Sequence, residues 1–268
     1  MKKIKFKLPV LFLSKRQVYV VVTAFLTFCL FAIQQLPDFY RYPSIIVMGI
    51  VTYFLTAFCL REELEKHEWI TLLILPTLFT ISLSYFYFLL PVRLITRLPM
   101  AIFYALGYYA LLLTENIFNV SSLRSIQLLR AAQAVGFYLT LITFFFFSDL
   151  LFTFHALFVV NLLLTFIFSF LLFLQYLSSI NLAKTIEKRV VIYSLCLAVI
   201  IAELAMSISF WPLRTLTSAL FLTSSFYALL GIGGYEIQEK LSKRVVSEFI
   251  FIPVFVFVLL LLTTSWTY

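Results

Sequence analysis

The chain has few of the residues from which active sites are usually built. Its 268 residues include two histidines, three cysteines and two aspartates. His67 and His155 are too few for a histidine-rich metal centre. Cys29, Cys59 and Cys196 each stand alone in an apolar run, in no metal or redox spacing. Magnesium-dependent transfer of prenyl-diphosphate or CDP-alcohol groups draws on clustered aspartates, which two cannot supply. No P-loop, H-E-x-x-H or G-x-S-x-G elbow is present. With six glycines, the glycine-interrupted half-helices of many secondary transporters are scarce. These shortages favour a protein without catalysis, and they point to no cofactor and no metal.

Charge is scarce too. Charged residues make up 12% of the chain, against about 25% in soluble domains. What fills the sequence instead is apolar: 63% of residues, with a mean hydropathy of +1.06. A water-soluble core has no use for that much apolar surface, whereas a bilayer does. The formal net charge of +8 therefore reads as a topology signal and not as nucleic-acid affinity.

A membrane-crossing helix needs roughly 20 mainly apolar residues. Nine runs qualify: Gln17 to Ile33, Ser44 to Leu60, Trp69 to Leu90, Leu98 to Leu113, Ala131 to Phe147, Leu151 to Tyr176, Val190 to Phe210, Leu216 to Gly234 and Phe249 to Ser265. The expected fold is an all-α polytopic transmembrane helix bundle, a single membrane domain over 1–268. Between Ala131 and Leu177 only Ser148-Asp149 interrupts the apolar run, so a tight turn is expected there. Pro37 and Pro43 should flank the first outer turn. Pro99 should sit in a first helical turn, and Pro76 should kink the third span with Thr77 and Thr80 nearby to satisfy freed backbone groups. Gly231, Gly233 and Gly234 suggest a frayed helix end.

Alternating nine spans from a cytoplasmic N-terminus puts 16 of the 20 lysines and arginines, including every lysine, on the inner side. Only Arg41, Arg93, Arg97 and Arg214 fall outside. That asymmetry predicts an N-in/C-out topology. A short basic segment, 1–16, starts the chain inside, and its first apolar run lacks a small-residue cleavage site, so it reads as a retained helix. Residues 114–130 form the central cytoplasmic connector, with Ser121 or Ser122 as an N-cap for the fifth span and Arg124 and Arg130 as candidate contacts for an anionic headgroup or partner. The triplets Ser14-Lys15-Arg16, Glu187-Lys188-Arg189 and Ser242-Lys243-Arg244 each precede an outward-going span, which charge placement explains. The compact layout suggests a prokaryotic inner membrane.

Glu203 is the sharpest single feature. It lies in IIAELAMSISF, where a charge near the bilayer centre costs ~2.5–3.5 kcal/mol on insertion scales. Ser207 and Cys196 share its helix face. His155, read as one turn inside the outer end of the sixth span, is expected at similar depth, with Asn161 following on that span. Asn161, Thr165 and Ser169 lie on one face. Thr77, Thr80 and Ser84 do likewise on the third span, and Ser218 and Ser225 on the eighth, as helix-packing residues do. Outside, Arg93, Arg97 and Arg214 are candidate phosphate contacts. Three functions follow. One is a non-catalytic scaffold or subunit of a membrane complex, with membrane lipids and a membrane protein as partners. Another is a carrier or lipid transporter working through Glu203 and His155. The last is a lipid-modifying enzyme built on the outer arginines.

Overall fold

A computed structural model describes residues 14–61, 68–91, 93–119, 126–181 and 187–264. Among them every regular element is helical: α1 (Lys15–Ile33), α2 (Asp38–Leu60), α3 (Glu68–Leu89), α4 (Leu94–Asn119), α5 (Ile126–Thr153), α6 (Phe158–Asn181), α7 (Lys188–Ile208), α8 (Thr215–Ile237) and α9 (Lys243–Thr263). All nine are long and apolar enough to cross a membrane. Short connections make consecutive helices antiparallel neighbours. The bundle has two halves. In one, α1 to α4 pack on one another. In the other, α6, α7 and α8 pack together, and α9 rests on α8. Helix α5 joins them, packing against α3, α4, α6 and α8. A stack of rings, including Phe144 on Phe226 at 4.1 Å and Phe147 on Phe168 at 3.7 Å, fills the seam around it.

The helix ends carry the departures from expectation. Ser148 and Asp149 do not make a turn: both are buried inside α5, where Thr153 Oγ1 donates to the Asp149 carbonyl at 2.7 Å. The chain reverses instead at residues 154–157. His155 adopts φ 46° there, a left-handed conformation that histidine visits more readily than most residues. Its N–H closes the helix on the Phe152 carbonyl at 3.2 Å. Two small polar residues fit inside a membrane-length helix because the bundle interior, not water, receives their side chains. Pro43 and Pro99 also lie within helices, α2 starting at Asp38 and α4 at Leu94. Each is in the second turn, so the carbonyl it deprives of a donor belongs to the exposed helix start, where water or headgroups can serve it. Around Pro76, Thr77 Oγ1 donates to the Leu73 carbonyl at 2.8 Å and Thr80 Oγ1 to the Pro76 carbonyl at 3.0 Å.

The glycine cluster is not a frayed end. Helix α8 runs on to Ile237, and Gly231, Gly233 and Gly234 are buried. A Cβ at Gly231 would lie 2.1 Å from the Phe249 ring of α9, one at Gly233 would lie 2.8 Å from Leu197 of α7, and one at Gly234 would lie 2.9 Å from Ile180 of α6. The missing side chains let three helices close on α8 at one level.

The three basic triplets sit identically. Ser14, Glu187 and Ser242 are the N-caps of α1, α7 and α9, and the two basic residues open each helix. Ser242 Oγ accepts from the Val245 N–H at 3.3 Å. Cations at a helix N-terminus oppose the helix dipole, so their placement serves something other than helix stability, and sidedness is the physical reason available.

Candidate functional site

The polar residues singled out in the sequence separate into four places. The first is the outward face of α7. Ile192, Leu195, Cys196, Val199, Ile200, Glu203, Ser207 and Phe210 are all exposed along one side. Glu203, Ser207 and Cys196 do share a face, but it points away from the bundle. Ser207 Oγ is spent on the Glu203 main-chain carbonyl at 2.8 Å. Among the described residues no side chain pairs with the Glu203 carboxylate. The reason is packing: α7 buries Ala198, Ile201, Ala202, Ala205 and Ile208 against its neighbours, and a rotation of 100° per residue then carries position 203 outward.

The second place is a cavity of about 150 Å³ at the end of the bundle where α5 and α7 finish and α6 and α8 begin. His155 and Asn161 line it together with Ser209, Trp211, Thr215 and Ser218. Asn161 Nδ2 donates to Ser209 Oγ at 2.9 Å, while its buried Oδ1 has no partner. His155 and Asn161 therefore do meet, without Glu203 or Ser207. The two serines and Thr215 were not picked out as site residues in the sequence. Ser209 and Thr215, at the two ends of the α7–α8 connection, left no periodic signal, and Ser218 stood out only as a helix-packing residue. At about 30 Å³ per molecule the cavity holds roughly five waters, and it falls below the ~300–1,000 Å³ of drug-sized ligand sites.

The third group, Arg93, Arg97 and Arg214, is divided between the starts of α4 and α8. Arg93 precedes α4 and is exposed; Arg97, in the first turn of α4, is buried with its Nε unpartnered and its charge within range of Tyr87. Arg214 is the exposed N-cap of α8. Helix α4 packs on α5, α3, α1 and α2, while α8 packs on α5, α9, α7 and α6. The two helices share α5 as a neighbour.

The fourth place is the region read as the central connector. Thr114, Glu115 and Asn116 belong to α4, and Glu115 is fully buried. Gln175 of α6 donates from Nε2 to Glu115 Oε1 at 2.8 Å. Tyr19 of α1 donates to Asn116 Oδ1 at 3.1 Å. Arg130 is exposed in the first turns of α5. Arg124, Ser121 and Ser122 lie outside the described residues, as does His67.

The hydroxyl faces all turn inward. Asn161, Thr165 and Ser169 are buried, as are Thr80, Ser84, Ser218 and Ser225. Two Tyr–Thr pairs tie α4 to its neighbours: Tyr108 to Thr56 at 2.9 Å and Tyr104 to Thr80 at 3.1 Å. Among the described residues no group of three or more His, Cys, Asp or Glu side chains could hold a metal ion. At the end where α7 begins and α8 ends, Arg189 bridges Glu239 at 3.0 Å and Glu236 at 3.3 Å.

A sequence profile for a family described as Protein of unknown function (DUF5656) matches residues 38–263. The chain belongs to this family. The match opens on the first residue of α2 and closes on the last of α9. All four places described above therefore lie inside the DUF5656 unit, with Tyr19 of α1 reaching in from outside it. No curated protein and no solved structure matches the chain.

Proposed function

We propose that this DUF5656 protein is a non-catalytic subunit or scaffold of a membrane assembly, held in the cytoplasmic membrane of a prokaryote with its N-terminus inside. The observation that supports this is Glu203, a carboxylate exposed on the apolar outer face of α7 with no partner among the described residues. It lies five residues before the C-terminal end of the helix, about 7.5 Å along the axis. Side chains on a helix lean toward its N-terminus, so Glu203 leans away from the nearer membrane surface and toward the middle of the span. A carboxylate there is costly against lipid and favourable against a cation or amide on another helix. A symmetric pair of copies centred on Glu203 would set carboxylate against carboxylate, so a different protein bearing an Arg, Lys, Asn or Gln at that depth fits better.

The carrier reading loses its main support, because Glu203 and His155 do not face one cavity. The enzyme reading has in its favour only three arginines divided between α4 and α8.

The test compares wild type, Glu203→Gln and Glu203→Leu, each extracted from source membranes into nanodiscs. Wild type is expected in fixed stoichiometry with a second membrane protein, and Glu203→Leu as the isolated chain with unchanged or higher thermal stability. Removing one member of a buried charge pair costs about 2–5 kcal/mol of binding; Glu203→Gln, which keeps a hydrogen-bonding group, should lose less. Identical composition of wild-type and Glu203→Leu particles overturns the proposal.

A further inference from the structure

The Glu115–Gln175 pair is independent of the docking surface. Both side chains are buried. One hydrogen bond joins them, from Gln175 Nε2 to Glu115 Oε1 at 2.8 Å. The two remaining oxygens of the pair, Glu115 Oε2 and Gln175 Oε1, are both buried without a partner. If Glu115 is ionised, both are acceptors, neither can serve the other, and the full desolvation penalty of an unmet group falls on each.

The surroundings supply no neutralising cation among the described residues. Helix α4 is flanked by α1, α2, α3 and α5, and α6 by α3, α5, α7 and α8. At this end of those helices Tyr19 on α1 donates to Asn116, and Arg189 on α7 is tied to Glu236 and Glu239 of α8 and its following turn. Lys15 and Arg16 on α1, Arg61 after α2 and Arg130 on α5 are exposed, and so is Lys188 on α7. None of them bonds to the Glu115 carboxyl.

We propose that Glu115 and Gln175 form a buried proton-binding site, in which the Glu115 carboxyl holds a proton on Oε2 and donates it to Gln175 Oε1. One proton converts one orphan acceptor into a donor for the other. The single bond becomes the doubly bonded ring of an acid and an amide, and the pair is neutral. Helices α4 and α6 both flank α5 and make little direct contact with each other, so this pair crosses between the two halves of the bundle. The proton is what closes that clasp. Returning it to water leaves an uncompensated carboxylate in an apolar interior, which favours parting of α4 from α6.

Infrared difference spectra of the full chain in nanodiscs at neutral pH, in H2O and D2O, test the site. Wild type should show a carboxylic-acid C=O band that shifts on deuteration. The band should be missing from Glu115→Gln, whose amide N–H can make the same second bond, and that variant should keep the wild-type melting temperature. In Gln175→Leu the band should persist but move, because the acid has lost its amide. Loss of a carboxylate band instead of an acid band in Glu115→Gln overturns the proposal. Should Glu115→Gln fail to assemble, an unshifted acid band in Gln175→Leu overturns it equally.

Discussion

Replacing Gly231 by alanine tests how the outermost helix is held. Helix α9 buries one residue, Leu260, and leans on α8. A Cβ at position 231 would stand 2.1 Å from Phe249 Cε1 and 2.5 Å from its Cζ. No side chain accepts that approach, so the ring must move. It is lodged against Tyr227, with centroids 5.2 Å apart, and Tyr235, at 5.8 Å. Each such contact is worth about 0.5–1.5 kcal/mol, and overpacking that the ring cannot relieve costs about 1–3 kcal/mol. Alanine returns up to roughly 1 kcal/mol of helix propensity over glycine. A net loss of about 1–2 kcal/mol is therefore expected. Reversible unfolding in mixed micelles measures it, and a double-mutant cycle with Phe249→Ala isolates its cause. With the ring removed, the added methyl meets empty space and the Gly231→Ala penalty should vanish. An equal penalty in both backgrounds, or a stabilised single variant, would show that α9 is not seated on α8 through this contact.

Two further expectations bear on the bundle. Tyr108→Phe should cost about 0.5–1.5 kcal/mol, the net worth of one hydrogen bond, because Thr56 Oγ1 keeps its bond to the Thr52 carbonyl at 2.7 Å and is not orphaned; a loss above about 3 kcal/mol in the same unfolding assay would mean that the hydroxyl supports more than this pair. In a cysteine-free chain, a single cysteine at Phe154 should react with an impermeant maleimide on whole cells and one at Leu241 only after permeabilisation. Both positions are exposed in turns at opposite ends of the bundle, and labelling from one side would refute the N-in/C-out alternation.

The number and class of the helices were legible because apolar length alone decides whether a segment can cross a bilayer. Their ends were not, because the same composition argument treats every polar residue as a sign of the surface. Ser148-Asp149 and Thr114-Glu115-Asn116 look like interruptions in a string of Leu and Phe, yet the bundle interior absorbs both. Prolines misled in the same direction, since Pro43 and Pro99 are tolerated one turn inside a helix whose start can be served from outside. The glycine triplet looked like weakness, and only the positions of Phe249, Leu197 and Ile180 reveal close approach. Glu203 stood out at once as a buried-depth carboxylate. Which way it faces was illegible, because a face carrying Cys196, Glu203 and Ser207 suits either a bundle interior or a contact with another membrane helix, and composition does not choose between them.

Glu115 and Glu203 show why depth and direction must be judged separately. Both are carboxylates within membrane-length helices, and each is costly unless something meets it. For Glu115 the chain itself provides an amide, a matched orphan acceptor and a sealed surrounding, so its requirement is met inside the molecule by one proton. For Glu203 the chain provides Ser207 on the same face, but that hydroxyl is already committed to a main-chain carbonyl. Many interior hydroxyls are committed, in the Tyr–Thr pairs and the back-bonds along α3, α5 and α8; those without a partner, Ser148, Thr165 and Ser194 among them, are buried within the bundle and make no bond to the exposed carboxylate. On the proposed reading, the group that meets Glu203 is carried by another membrane helix, because the flanking Ile200, Val199 and Phe210 present apolar surface around it. The two residues should accordingly respond in opposite ways to removal of the carboxyl: Glu115→Ala should weaken the isolated chain, and Glu203→Leu should strengthen it while dissolving the assembly.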